Sequence, residues 1–172
     1  ISGVLPSGRN LDESGLRLGL ARARFGIVFK LSGWNGESDD DQVTLSAFNA
    51  FDVDPADAGA RYDGRDKWVI DDTSLVGKTK FVSPYATSQA YVTGGVLVAS
   101  FSTLLAKLRV PSTNERWLVV PVTLRAAQLR ARITRAKDGD GKESFTLSSG
   151  EIGGRLQMPA VFAVAASAGA CL

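Results

Sequence analysis

Apolar and polar residues alternate with period 2 through most of the chain, a pattern that predicts strands. In residues 16–33, "LRLGLARARFGIVFKLSG", Leu16, Leu18 and Leu20 share one face and Arg17, Gly19 and Ala21 the other. After Arg24 the run becomes almost wholly apolar, as in a strand covered on both sides. Residues 42–51 alternate again, and "KWVID" reads as a short strand. Residues 90–101, "AYVTGGVLVASF", read as a strand with Gly94 and Gly95 forming a bulge or a close backbone approach. "RWLVVPVTL" sets Leu118, Val120, Val122 and Leu124 on one face, and Pro121 marks an edge or a bulge. Residues 127–135 place Leu129, Ala131 and Ile133 inward and Arg130 and Arg132 outward. "ESFTLSSG" and "EIGGRLQ" end the series. "FSTLLAKL" reads equally as strand or as a turn or two of helix. "PAVFAVAASAGA", with Pro159 at its start and many alanines, predicts a short C-terminal helix.

Between these runs lie the turn dipeptides Asn35-Gly36, Asp63-Gly64, Asp138-Gly139 and Asp140-Gly141. Residues 53–60 and 76–88 read as loops. About eight to ten short strands joined this way predict an all-β fold, mainly an antiparallel β-sandwich of jelly-roll-like form, with the short helix at its end. A chain of 172 residues suits one domain, spanning residues 1–172. It starts at Ile1 and its one methionine is Met158, so we read it as a segment of a longer or processed protein.

Composition excludes several chemistries. There is no histidine, which removes the usual general base near neutral pH and the commonest transition-metal ligand. The one cysteine, Cys171, excludes an internal disulfide and a cysteine zinc site. No apolar run is long enough to cross a membrane as a helix. The net charge of +2 does not itself suggest nucleic acid, and no nucleic-acid partner is expected. Arg17, Arg22, Arg24, Arg125, Arg130, Arg132 and Arg135 form basic strands without the interleaved aromatics that stack on bases.

Acidic residues crowd into residues 36–73. Asp39, Asp40 and Asp41 stand together in "WNGESDDDQ", and Asp63 and Asp66 in "YDGRD". Calcium takes several oxygen ligands, so these five aspartates are the candidate metal ligands and calcium is the candidate ion. Neighbours on an extended chain point oppositely, which limits the triplet to two converging carboxylates, and a solvated charged turn is the plain alternative. "KDGDGKES" fails as a calcium loop, because its twelfth position is Leu147 where an acid is required. No buried carboxylate pair, nucleophile elbow or phosphate loop can be identified. Trp34 and Trp68 flank the acidic stretches. If the loops share one end of the fold, Trp34, Asn35 and Trp68 are candidate ligand-binding residues for a glycan or a protein.

"LSGWNGESDDDQVTLSAF", "YDGRDKWVID", "AYVTGGVLVASF" and "SSGEIGGRL", spread over residues 27–156, resemble the ordered landmarks of a family of exported, often lipid-anchored proteins from social predatory bacteria. The resemblance implies export and a β-rich fold, and it brings no catalytic residues. It also implies further cysteines after the helix, which would leave Cys171 without its partner here. The expectation is a non-catalytic exported surface protein, a binding or structural module with calcium-ordered acidic loops, acting on a glycan or protein at the cell surface. One alternative is a subunit that assembles with copies of itself into filaments or rings through acidic and basic surfaces. Another is a hydrolase that uses two carboxylates, with Asp41 or Asp66 buried and raised in pKa.

Overall fold

The computed structural model describes residues 25–52, 67–78, 80–111, 117–137 and 140–157. The strands are β1 (Gly26–Ser32), β2 (Asp40–Asp52), β3 (Trp68–Ile70), β4 (Ala86–Thr93), β5 (Val96–Pro111), β6 (Trp117–Lys137) and β7 (Glu143–Leu156). All pairings are antiparallel, in the order β1-β2-β4-β5-β6-β7. β3 also pairs with β2. Ala50 is opposite both Gly26 and Ile70, so β3 lies on the same edge of β2 as β4. The all-β antiparallel class therefore holds, but as a single sheet curled on itself rather than two separate sheets. The expected C-terminal helix, at residues 159–170, lies outside the described residues.

Several expected short strands are parts of longer ones. "FSTLLAKL" belongs to β5, "RWLVVPVTL" and residues 127–135 fuse into the 21-residue β6, and the last two segments fuse into β7. Of the two readings of Gly94 and Gly95, the bulge is not found, whereas the backbone does approach closely: Gly95 N–H donates to Ser38 O (2.8 Å) and Gly95 O accepts from Ile133 N–H (2.9 Å). Both glycines have positive φ (54° and 71°) and form the two-residue hairpin between β4 and β5, with Thr93 opposite Val96. A turn with left-handed backbone at both central positions matches the twist of its flanking strands.

The curl explains how one sheet makes a core. Val43, Leu45 and Ala47 of β2, Ala90 and Val92 of β4, Leu97, Ala99 and Phe101 of β5, and Ala127, Leu129 and Ile133 of β6 are all buried in one cluster. Ile27, Phe29 and Leu31 of β1 close it from one side and Phe145 and Leu147 of β7 from the other. Beyond Phe101 the buried positions of β5 change phase, to Leu104 and Ala106, and those of β6 change phase on passing to Val120. The change coincides with Ala126, whose φ of 46° places it in the left-handed region, and with a register shift between β6 and β7. A bulge of this kind adds twist, which lets two long strands continue past the rest of the sheet.

Side chains satisfy the backbone where strands stop short. Between β3 and β4 the edge of β2 is closed by Asp71, Ser74 and Ser83. Asn49 N–H donates to Ser74 Oγ (2.9 Å), Asp71 N–H donates to Asn49 O (2.9 Å), and Ser83 Oγ–H donates to Ala47 O. Asn49, buried from β2, reaches across to β5: its Nδ2 donates to Leu105 O (2.9 Å) and its Oδ1 accepts from Lys107 N–H (2.8 Å). The Lys107 N–H thus points away from β6. Its partner Pro121 therefore turns its missing N–H to the outer edge, where β7 ends at Leu156 opposite Leu124. The edge position expected from Pro121 is met.

Candidate functional site

The acidic turn between β1 and β2 lies over one end of the curled sheet, and its own hydrogen bonds shape it. Gly33 and Gly36 have positive φ (83° and 84°) and reverse the chain. Asn35 forms an Asx turn, its Oδ1 accepting from Glu37 N–H (2.7 Å) while its Nδ2 donates to Asp39 O (3.2 Å). Trp34 Nε1 donates to Glu37 O (3.0 Å). Asp40 accepts from Asn35 N–H (2.7 Å) and Gln42 N–H (3.2 Å). Asp39 accepts from Gly94 N–H (2.9 Å), Thr93 Oγ1 (3.2 Å) and Ser38 Oγ (2.7 Å), and so ties the turn to the β4–β5 hairpin. The Gly94 N–H, followed by the Ser38 hydroxyl, holds the Asp39 carboxyl below the usual aspartate range.

Arg135 fastens the same turn to β6. Its Nε donates to Gly36 O (2.6 Å), and its Nη2 lies 3.3 Å from Asn35 O and 3.4 Å from Glu37 Oε1. A Cβ at Gly36 would collide with the guanidinium. From β7, the Phe145 ring meets Trp34 edge-on with centroids 6.1 Å apart. Around this contact lies an open cleft of about 340 Å³, lined by Trp34, Asn35, Arg135, Glu143, Ser144 and Phe145 among others. A second hollow, about 660 Å³, runs past Asp39, Asp40 and Asp41 to Tyr91 and Thr93.

The expected residues are only partly assembled. Trp34, Asn35, Asp39, Asp40 and Asp41 share one end of the sheet. Asp63 and Asp66 lie outside the described residues. Trp68 does not join the others. It is opposite Asp52, twelve residues along β2 from Asp40, a separation of roughly 40 Å at the rise of a strand. There its ring packs over Gly26, where an added Cβ would come within 3.3 Å. The shared loop end expected for both tryptophans is therefore corrected: pairing of β2 with β3 carries Trp68 to the far end.

Asp39 and Asp40 accept hydrogen bonds from different directions, and Asp41 is exposed. Among the described residues no group of three or more acidic, histidine or cysteine side chains converges as a metal site would require. Also among the described residues, no helix is long and apolar enough to cross a membrane.

Sequence reading missed Arg135 and Phe145 as partners of the turn. One signal was present. Arg135 is in phase with the inward Leu129, Ala131 and Ile133, and a charged residue in an inward phase at a strand end needs a polar partner nearby. In comparisons with protein-family models, with curated proteins and with solved structures, nothing matches the chain.

Proposed function

We infer that the chain is a non-catalytic binding module of an exported surface protein, and that its ligand is a glycan held in the cleft at the turn end of the sheet. One observation carries this reading: the Trp34–Phe145 pair borders an open cleft whose other walls include Arg135, Glu143, Ser144 and Asn35. An aromatic surface suits the C–H face of a pyranose, and amide, hydroxyl, carboxylate and guanidinium groups around it suit the hydroxyls. Export rests on the resemblance of the landmark segments to exported proteins. The aspartates support a structural role, since Asp39 ionises more readily than a free aspartate and is engaged by three donors. A catalytic acid needs the opposite shift.

The test is a glycan-array screen of the intact chain. Hits are then followed by amide chemical shifts for the wild type, Phe145→Ala and Trp34→Ala. Saturable shifts at residues 34–36 and 143–145 that both substitutions abolish are the expected result. A glycan that binds the variants as well as the wild type, or no glycan hit at all, overturns the assignment.

A further inference from the structure

On a different part of the molecule, the connection between β3 and β4 leaves apolar side chains largely in water. After the 3₁₀ turn Asp72–Ser74, the segment leaves β2 and returns through Val76 and Val82, joined by a bond from Val76 N–H to Val82 O (2.8 Å). Val76 is 48% exposed, Phe81 55% and Val82 51%. One face of Phe81 lies flat on the buried Phe48 (centroids 4.6 Å apart, rings 8° from parallel), which fixes its position while more than half of the residue stays in water. Lys30 of β1 places its ammonium 5.5 Å from the Phe81 ring, and Lys80, which precedes Phe81 in the chain, is exposed. The acids nearest in sequence, Asp71 and Asp72, both make interactions within the fold.

We propose that this loop is a docking element for an anionic lipid surface, with Val76, Phe81 and Val82 entering the interfacial layer and Lys30 and Lys80 meeting the headgroups. Two arguments favour a bilayer over a second copy or another protein. Three part-exposed side chains fall far short of the roughly 800 Å² per partner that a stable protein interface buries. A lipid interface requires no complementary shape, only shallow apolar insertion and basic groups at headgroup depth, where lysines extend their charge outward over apolar surface. The proposal is independent of the glycan cleft, which lies at the β1–β2 turn.

The test is co-sedimentation of the full chain with vesicles of phosphatidylcholine alone and with added phosphatidylglycerol. Binding should require the anionic lipid. It should weaken markedly from about 0.1 M to about 1 M salt, as the screening length falls from ~10 to ~3 Å. Val76→Ser with Val82→Ser should reduce the vesicle partition coefficient by about tenfold or more. Lys30→Glu with Lys80→Glu should remove the preference for anionic lipid. All four positions are exposed, and unchanged melting temperatures would show that these variants fold. No sedimentation with either vesicle, or equal sedimentation with both, overturns the proposal. So does a wild-type dimer in solution that Val76→Ser with Val82→Ser converts to monomer, because the patch would then be an interface between copies.

Discussion

Replacing Asn49 with alanine tests how the sheet holds its curl. Asn49 is 4% exposed and its amide spans from β2 to the edge of β5, beyond the point where β4 stops pairing. Alanine removes the donor to Leu105 O, the acceptor for Lys107 N–H and a 3.2 Å contact with Ser74 Oγ. A buried backbone group left without a partner costs about 1–3 kcal/mol. Leu105 and Lys107 are only half-buried, so water recovers part of that, and two groups in the lower half of the range give about 2–4 kcal/mol. Set against about 5–15 kcal/mol for a typical domain, the loss should be plain in a urea titration as a lower midpoint with little change in slope. Hydrogen exchange gives a local reading. The Lys107 amide should lose its protection, while the Leu97 and Ala99 amides, within the paired part of β5, should fall only as far as global stability does. A loss below about 1 kcal/mol, or a Lys107 amide still protected, would refute the idea that one side chain replaces a missing strand.

Gly36→Ala should destabilise the chain by about 1–3 kcal/mol, because alanine is strained at φ 84° and its Cβ meets Arg135; thermal melts of Gly36→Ala and Arg135→Ala test this, and unchanged melting in both would oppose it. Stability should fall on acidification through Asp71. Burial alone would raise its pKa, but the Thr73 hydroxyl and the Lys107 ammonium outweigh that and hold it below its ordinary 3.8. A carboxylate with a depressed pKa contributes fully above its unfolded value and loses the contribution as pH falls through the folded one, so the window opens near pH 4 and extends below it. Urea midpoints across that range should drop less steeply in Asp71→Asn. Excess calcium should leave the melting temperature unchanged relative to EDTA, since the Gly94 N–H and the Ser38 hydroxyl already engage the Asp39 oxygens and the Asn35 and Gln42 N–H groups those of Asp40; a calcium-dependent rise abolished by Asp40→Asn would show otherwise.

Strand content was legible because the longer strands alternate over several residues, and even the bulge left a trace. Leu118, Val120, Val122 and Leu124 are in one phase, Leu129, Ala131 and Ile133 in the other, and Ala126 lies between them. What alternation does not encode is where one strand stops and another begins. Gly94-Gly95 fits a bulge or a hairpin equally well, and only its pairing, Thr93 with Val96, distinguishes them. Nor does it encode which loops meet. Trp34 and Trp68 looked like neighbours because both lie near acidic stretches, yet antiparallel pairing with a 13-residue strand separates them. Asn49 was hidden for a related reason. In "SAFNAF" it reads as a polar residue within an apolar run, and its partners at Leu105 and Lys107 are more than fifty residues away.

In the acidic turn, charge helps to build the surface itself. The turn crosses the end of the curled sheet and brings the Asn35 and Gln42 N–H groups and the Gly94 N–H of the β4–β5 hairpin within reach of its carboxylates. Asp39 and Asp40 supply charged acceptors, whose hydrogen bonds are stronger than neutral ones, and Arg135 supplies the matching donors from β6. The consequence falls on the cleft next door. Trp34 is held by its bond to Glu37 O and by the Phe145 edge, so the aromatic wall exists before any ligand arrives. A wall ordered in advance leaves little ordering entropy to lose on binding. Asp39→Ala should therefore weaken the glycan binding inferred above without touching the ligand, by releasing the turn from the Gly94 hairpin. Ligand contact by Asp39 itself would instead leave the amide protection of residues 35–37 intact in that variant.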